Sequence, residues 1–136
     1  MEVKTVWDSG MAFTAHQDGH EFVVDADASS GGQGRGPRPK GLLLSGLAGC
    51  TGMDVVSILQ KMRVEVESLE ILVDADLTDE HPKVFSRIHL KYVFRGKDLP
   101  QDKLEKAVNL SQERYCGVSA MLRQVCPLTW EIAASE

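Results

Sequence analysis

Cysteine is scarce in this 136-residue chain: Cys50, Cys116 and Cys126 are the three, and no two stand at a CxxC interval. That spacing excludes a disulfide framework, a zinc finger and a dithiol redox motif. Positive charge is also short, with a formal net charge of −5, which argues against nucleic acid or an anionic membrane surface as a partner. The start, Met1-Glu2-Val3-Lys4, lacks a basic segment followed by an apolar core, so a cytoplasmic protein with reduced thiols is expected. No repeat or low-complexity tract is present, and the longest apolar stretch is broken by Ser45, Thr51, Asp54 and Ser57 before it can serve as a membrane span. A chain of this length suits a single domain, residues 1–136.

What the chain does contain is a clear succession of elements. Val3 to Trp7, Met11 to His16 and Glu21 to Val24 are short Val-, Thr- and aromatic-rich segments parted by Asp8-Ser9-Gly10 and Gln17-Asp18-Gly19; they predict three strands joined by hairpin turns. The Gly- and Pro-rich stretch Ala26 to Gly41 carries Arg35, Arg38 and Lys40 and predicts a loop. Helical spacing of Leu43, Leu47, Val55, Leu59 and Met62, interrupted by Gly46, Gly49 and Gly52, predicts two helical pieces meeting near Cys50. Val64 to Leu77 and Val84 to Arg95 alternate as a two-stranded ribbon. Asp98-Leu99-Pro100-Gln101 suggests a capping box ahead of a helix whose apolar side runs through Leu104, Val108 and Tyr115. A short helix, Val118 to Gln124, and a strand, Pro127 to Ala133, close the chain. The order βββ-αα-ββ-αα-β is that of an α+β domain.

The chemistry concentrates around "GLLLSGLAGCTGMDVVSIL", Gly41 to Leu59. A reactive cysteine must be a thiolate, so each thiol is judged by what would stabilise negative charge beside it. Thr51 and Asp54 form a candidate N-cap pair that would begin a helix directly after Cys50 and aim its positive end at the sulfur. Asp54 pulls the other way if it faces the sulfur, because like charge disfavours the thiolate. Cys116, in "QERYCGVSAML", is likewise followed by a glycine and a helix, and if the two sulfurs meet, one can attack an oxidant and the other resolve the product as a disulfide. Cys126 lacks such a setting and reads as core filling, as do Met53, Met62 and Met121. Trp7 and Trp130 read as packing anchors, and the ribbon acids Glu65, Glu67, Glu70, Asp74 and Asp76 as solvated sheet positions.

A proline-led loop into "LLLSGLAGCTGMDVVSIL", then a ribbon, then a helix ending "LSQERYCGVSAML" resembles the OsmC/Ohr family of peroxide-detoxifying proteins over nearly the whole chain. The resemblance implies an intertwined homodimer with a long buried central helix, Cys50 as attacking thiol, Cys116 as resolving thiol, a hydroperoxide substrate and a dithiol or lipoyl-type reductant. It implies neither cofactor nor metal. Family members with a well-defined site place a glutamate where this chain has Lys40 or Gly41, and an arginine on the N-terminal strands, where this chain has none before Arg35. Arg35, Arg38 and Lys40 are therefore the candidate thiolate-stabilising cations, with Thr51 as helix cap, in an OsmC-like branch.

Two other readings compete. One keeps the dimer scaffold as a non-catalytic small-ligand binder, since a thiol without electrostatic support stays protonated near pH 7. The other is a metal site using the cysteines with His16, His20, His81 or His89; His16 and His20 flank a turn, but no second pair stands at ligand spacing.

Overall fold

The computed structural model describes residues 1–136 and divides into two compact units, Met1–Ser45 and Gly46–Glu136. In the first, β1 (Lys4–Ser9), β2 (Ala12–Gln17) and β3 (His20–Val24) form an antiparallel meander. Its tight turns use Gly10 and Gly19 in the left-handed region, which costs glycine little. Ala12 and Ala15 of β2 are buried, while Trp7 is 64% exposed and donates its Nε1–H to Gly10 O at 2.9 Å. Trp7 is therefore no core anchor within the chain, correcting the expectation for it.

The loop that follows is built around Asp25. Its buried carboxylate accepts the backbone N–H groups of Ala26 (2.7 Å), Arg35 (3.1 Å) and Gln33 (3.2 Å). These bonds, led by that of Arg35, hold the carboxyl below its ordinary value of 3.8. Asp27 caps a single 3-10 turn, Ala28–Ser30, by accepting from Ser30 N at 3.0 Å.

The expected helix pair is one helix, α1, running unbroken from Pro39 to Lys61. Gly46, Gly49 and Gly52 keep negative φ and stay in the helical ladder, so they neither cap nor bend it. Leu47, Thr51, Val55 and Leu59 recur every fourth residue and form its buried stripe, whereas Leu43, Met53 and Val56 remain exposed within the chain. A Cβ on Gly52 would stand 3.0 Å from Ile71 Cδ1, so this glycine lets the helix approach the sheet closely. By length and apolar composition α1 matches a bilayer span, yet its polar stripe residue Thr51 is bonded into the protein core.

In the second unit β4 (Ser68–Leu77) and β5 (Phe85–Arg95) pair antiparallel, and β6 (Leu128–Ser135) lies parallel to β5. β5 is central and buries Phe85, Ile88, Leu90, Tyr92 and Phe94. Trp130 packs edge-on against Tyr92, with ring centroids 6.4 Å apart at 88°, as expected of an anchor. The ribbon acids are solvated, and Asp74 and Asp76 both engage Arg87 across the strands.

α2 (Gln101–Leu110) buries Leu104, Ala107 and Val108. No capping box opens it: Pro100 holds the cap position without a side-chain bond, and Asp98 turns away at φ 51°. A π-turn, Ser111–Tyr115, then widens the helix, and Cys116 caps α3 (Gly117–Arg123). The extra residue shifts the helical phase, so Ser111 and Gln112 face inward while Tyr115, expected on the apolar side, is 54% exposed under the Arg114 guanidinium. Met53 and Met121 are also exposed and fill no core in the chain itself.

Candidate active site

Cys50 and Asp54 are one turn apart on α1, a spacing that places both side chains on one face of a helix. Cys116 approaches from the start of α3, and the two sulfurs and a carboxylate oxygen of Asp54 all lie within 4.8 Å of one another. All three cysteines are free thiols; Cys116 and Cys126 are buried and Cys50 is half-buried. Cys50 is thus the more accessible member of the pair.

Asp54 is held by a buried hydrogen-bond chain whose direction can be derived. Ser111 Oγ donates its one proton to Asp54 Oδ2 at 2.9 Å. Thr51, 2.7 Å from Ser111 Oγ, must then donate to it, and so accepts from Tyr92 Oη, also at 2.7 Å. Tyr92 in turn accepts from Gln112 Nε2 at 2.7 Å. Arg123 orients that amide, donating to Gln112 Oε1 and to its backbone carbonyl at 3.1 Å each. The order is Arg123, Gln112, Tyr92, Thr51, Ser111, Asp54, with every donor feeding the next acceptor, an arrangement in which each bond polarises its neighbour. Burial, the leading cause, raises the Tyr92 phenol above its ordinary value, so it stays a donor at neutral pH.

Thr51, expected to cap a helix beside Cys50, sits mid-helix inside this chain instead. No helix begins at Cys50. Cys116 does sit at a helix start, where its Sγ accepts from Ser119 N at 3.3 Å. Burial pushes the Cys116 thiol up; Ser119 draws it partly back, and neighbouring Cys50 pushes in the same direction as burial. Burial likewise raises Cys126, which lies outside the cluster.

The candidate cations are engaged in the N-terminal unit. Arg35 pairs with Asp8 at 3.8 Å and Arg38 with Asp27 at 3.3 Å, while Lys40 occupies the first turn of α1. Two of the histidines are engaged on strands: His16 contacts Glu21 at 3.1 Å, and His89 contacts Thr129 at 2.7 Å and Glu131 at 3.3 Å. Asp54 does face the Cys50 sulfur, the case the sequence left conditional, and it also neighbours Cys116, which the sequence did not anticipate. Ser111, Gln112, Tyr92 and Arg123 carry no sequence mark, because only the π-turn and the sheet bring them together.

Residues 32–131 match the model of the OsmC family, described as OsmC-like protein. The chain is 32% identical to Protein YhfA of Escherichia coli K12, covering 99% of this chain and 100% of that protein. A crystal structure of an Aquifex aeolicus VF5 protein superposes with a TM-score of 0.84 at 34% identity, covering 99% of this chain and 97% of the other. An organic hydroperoxide resistance protein OsmC from Legionella pneumophila shares the fold, with a TM-score of 0.73 at 18% identity over 97% of this chain and 95% of its own.

Proposed function

The chain belongs to the OsmC-like family, in a YhfA-type branch, and we propose that it acts there as a two-thiol peroxidase reducing organic hydroperoxides or hydrogen peroxide. The observation that carries this reading is the approach of the Cys50 and Cys116 sulfurs to within 4.8 Å. A disulfide needs them at about 2.05 Å, so the proposed cycle includes a closing movement of the two sulfurs.

In the proposed cycle the half-buried Cys50 meets the substrate. Asp54, the base beside both sulfurs, takes its proton, and the thiolate attacks the terminal peroxide oxygen. The O–O bond breaks, Cys50 becomes a sulfenic acid, and the departing alkoxide takes a proton to leave as the alcohol. Cys116 then attacks the Cys50 sulfur, expelling the oxygen as water and forming the disulfide. The sum is hydroperoxide plus two thiols giving alcohol, water and one disulfide, which an external dithiol, a lipoyl type included, returns to the thiol state. The chemistry draws on no cofactor. The thiolate-stabilising role proposed for Arg35, Arg38 and Lys40 requires Arg35 and Arg38 to leave Asp8 and Asp27, and Thr51 acts through the chain that holds Asp54.

The proposed setting is cytoplasmic and homodimeric. Exposed apolar residues in both units, Trp7 and Met11 in the first and Met53 and Val56 in the second, support a second copy as the missing cover.

Stopped-flow oxidation with one equivalent of an organic hydroperoxide per chain tests the reading. The expected result is loss of two of the three thiols and one Cys50–Cys116 disulfide by peptide mapping. An unchanged thiol count after excess peroxide would overturn it and leave the ligand-binding scaffold.

A further inference from the structure

The sulfurs of Cys50 and Cys116 and the carboxylate of Asp54 make a donor set that suits a metal ion as well as an oxidant. We propose that the reduced protein binds one thiophilic divalent ion, zinc by best match, through Cys50 Sγ, Cys116 Sγ and an Asp54 carboxylate oxygen, with the fourth position open to water.

The three donor atoms lie within 4.8 Å of one another. A tetrahedral zinc with Zn–S of about 2.3 Å sets its sulfurs roughly 3.8 Å apart, so a closure of at most about one ångström brings the sulfurs to that spacing. Two sulfurs and one oxygen discriminate against calcium and magnesium, which take oxygen ligands in larger number. Two ligands one turn apart on a rigid helix, with the third from another element, reproduce the arrangement by which helices commonly present metal ligands.

The supporting contacts are also those of a metal site. Ser111 Oγ donates to Asp54 Oδ2 at 2.9 Å, and Ser119 N–H donates to Cys116 Sγ at 3.3 Å, so two of the three ligands are oriented from behind. The Ser119 hydroxyl, on the same turn as that amide, is buried without a hydrogen-bond partner and supplies a further donor for a thiolate. No histidine enters the set; of the residues weighed for a metal in the sequence, only the cysteines are used. Cys50 and Asp54 are half-buried and Cys116 buried, so an ion enters from the α1 side. Occupancy ties up both thiols; that such an ion would block turnover rests on the peroxidase reading, whereas the binding itself does not.

Cobalt(II) titration of the reduced full-length protein under anaerobic conditions is the test. The expected outcome is one equivalent per chain, with a thiolate-to-cobalt charge-transfer band of two-thiolate intensity, the visible bands of a tetrahedral site, and displacement by zinc. Asp54→Asn and Cys116→Ser, each checked for folding by circular dichroism, should weaken cobalt binding by about tenfold or more, and Cys126→Ser should not. Absence of the charge-transfer band in folded, reduced protein overturns the proposal. So does a band that survives unchanged in Cys116→Ser or in Asp54→Asn. Because the readout is spectroscopic, a protein inert to peroxide that still gives the band sinks the peroxidase reading alone.

Discussion

Arg123 and Asp54 are the two charged ends of one hydrogen-bond chain, with Gln112, Tyr92, Thr51 and Ser111 between them. Each intermediate side chain has one orientation that satisfies both neighbours, so the chain fixes Asp54 beside the two thiols. Its central member is Thr51, which is fully buried. Thr51→Val keeps the shape but deprives Tyr92 of its acceptor and Ser111 of its donor. The expected destabilisation is about 1–3 kcal/mol, the cost of stranding buried polar groups. Urea unfolding checks it; an unchanged midpoint would show that the hydroxyl chain contributes nothing to stability.

Asp54 is the proton acceptor in the proposed reaction, so its replacement should affect the first oxidation step more than the second. Asp54→Asn is expected to slow Cys50 oxidation by roughly 100-fold, the lower end for a positioned acid–base group. Ser111→Ala, which frees Asp54 Oδ2 from its donor, should cause a smaller loss in the same step. Single-turnover sulfenic-acid trapping in a Cys116→Ser background reads this step alone, and equal rates for the Asp54 variant and parent would remove Asp54 from the mechanism.

Asp25 organises the loop between β3 and α1, and its folded-state pKa lies below the ordinary 3.8. A depressed carboxylate pKa stabilises the fold above the ordinary value, and that contribution is lost as pH falls through the lower folded value. Protection factors of the Ala26, Gln33 and Arg35 amides, corrected for the intrinsic exchange rate at each pH, should therefore fall on acidification below about pH 4. Asp25→Ala should produce the same loss at neutral pH while leaving the β5 amides of Ile88 to Phe94 protected. Neutral-pH exchange identical to the parent would refute the role given to Asp25.

Met53, 76% exposed, and Val56, 43% exposed, lie on the uncovered side of an otherwise apolar helix. Sedimentation equilibrium should return twice the 14.9 kDa chain mass. Met53→Glu with Val56→Glu should shift the population toward monomer, since charge buried without a partner opposes association. A parent protein that sediments as a monomer at every concentration would end the dimer reading.

The sequence carried the strands well, because a period of two and turn residues such as Gly10 and Gly19 are local signals. It also singled out Cys50 and Cys116 and, through the resemblance of their surroundings, the family. Glycines within α1 misled: Gly46, Gly49 and Gly52 read as a break, but a helix with a buried stripe tolerates them because packing outweighs their propensity. The π-turn was equally invisible, since its widened phase depends on Arg123 and Tyr92, distant in sequence, holding Gln112 inward. The sequence alone thus determined which thiols are candidates. That they stand together beside a carboxylate, with a helix N-terminus at Cys116 and none at Cys50, was decided by tertiary structure, because that meeting depends on how α1, the π-turn and β5 pack around one buried hydroxyl chain.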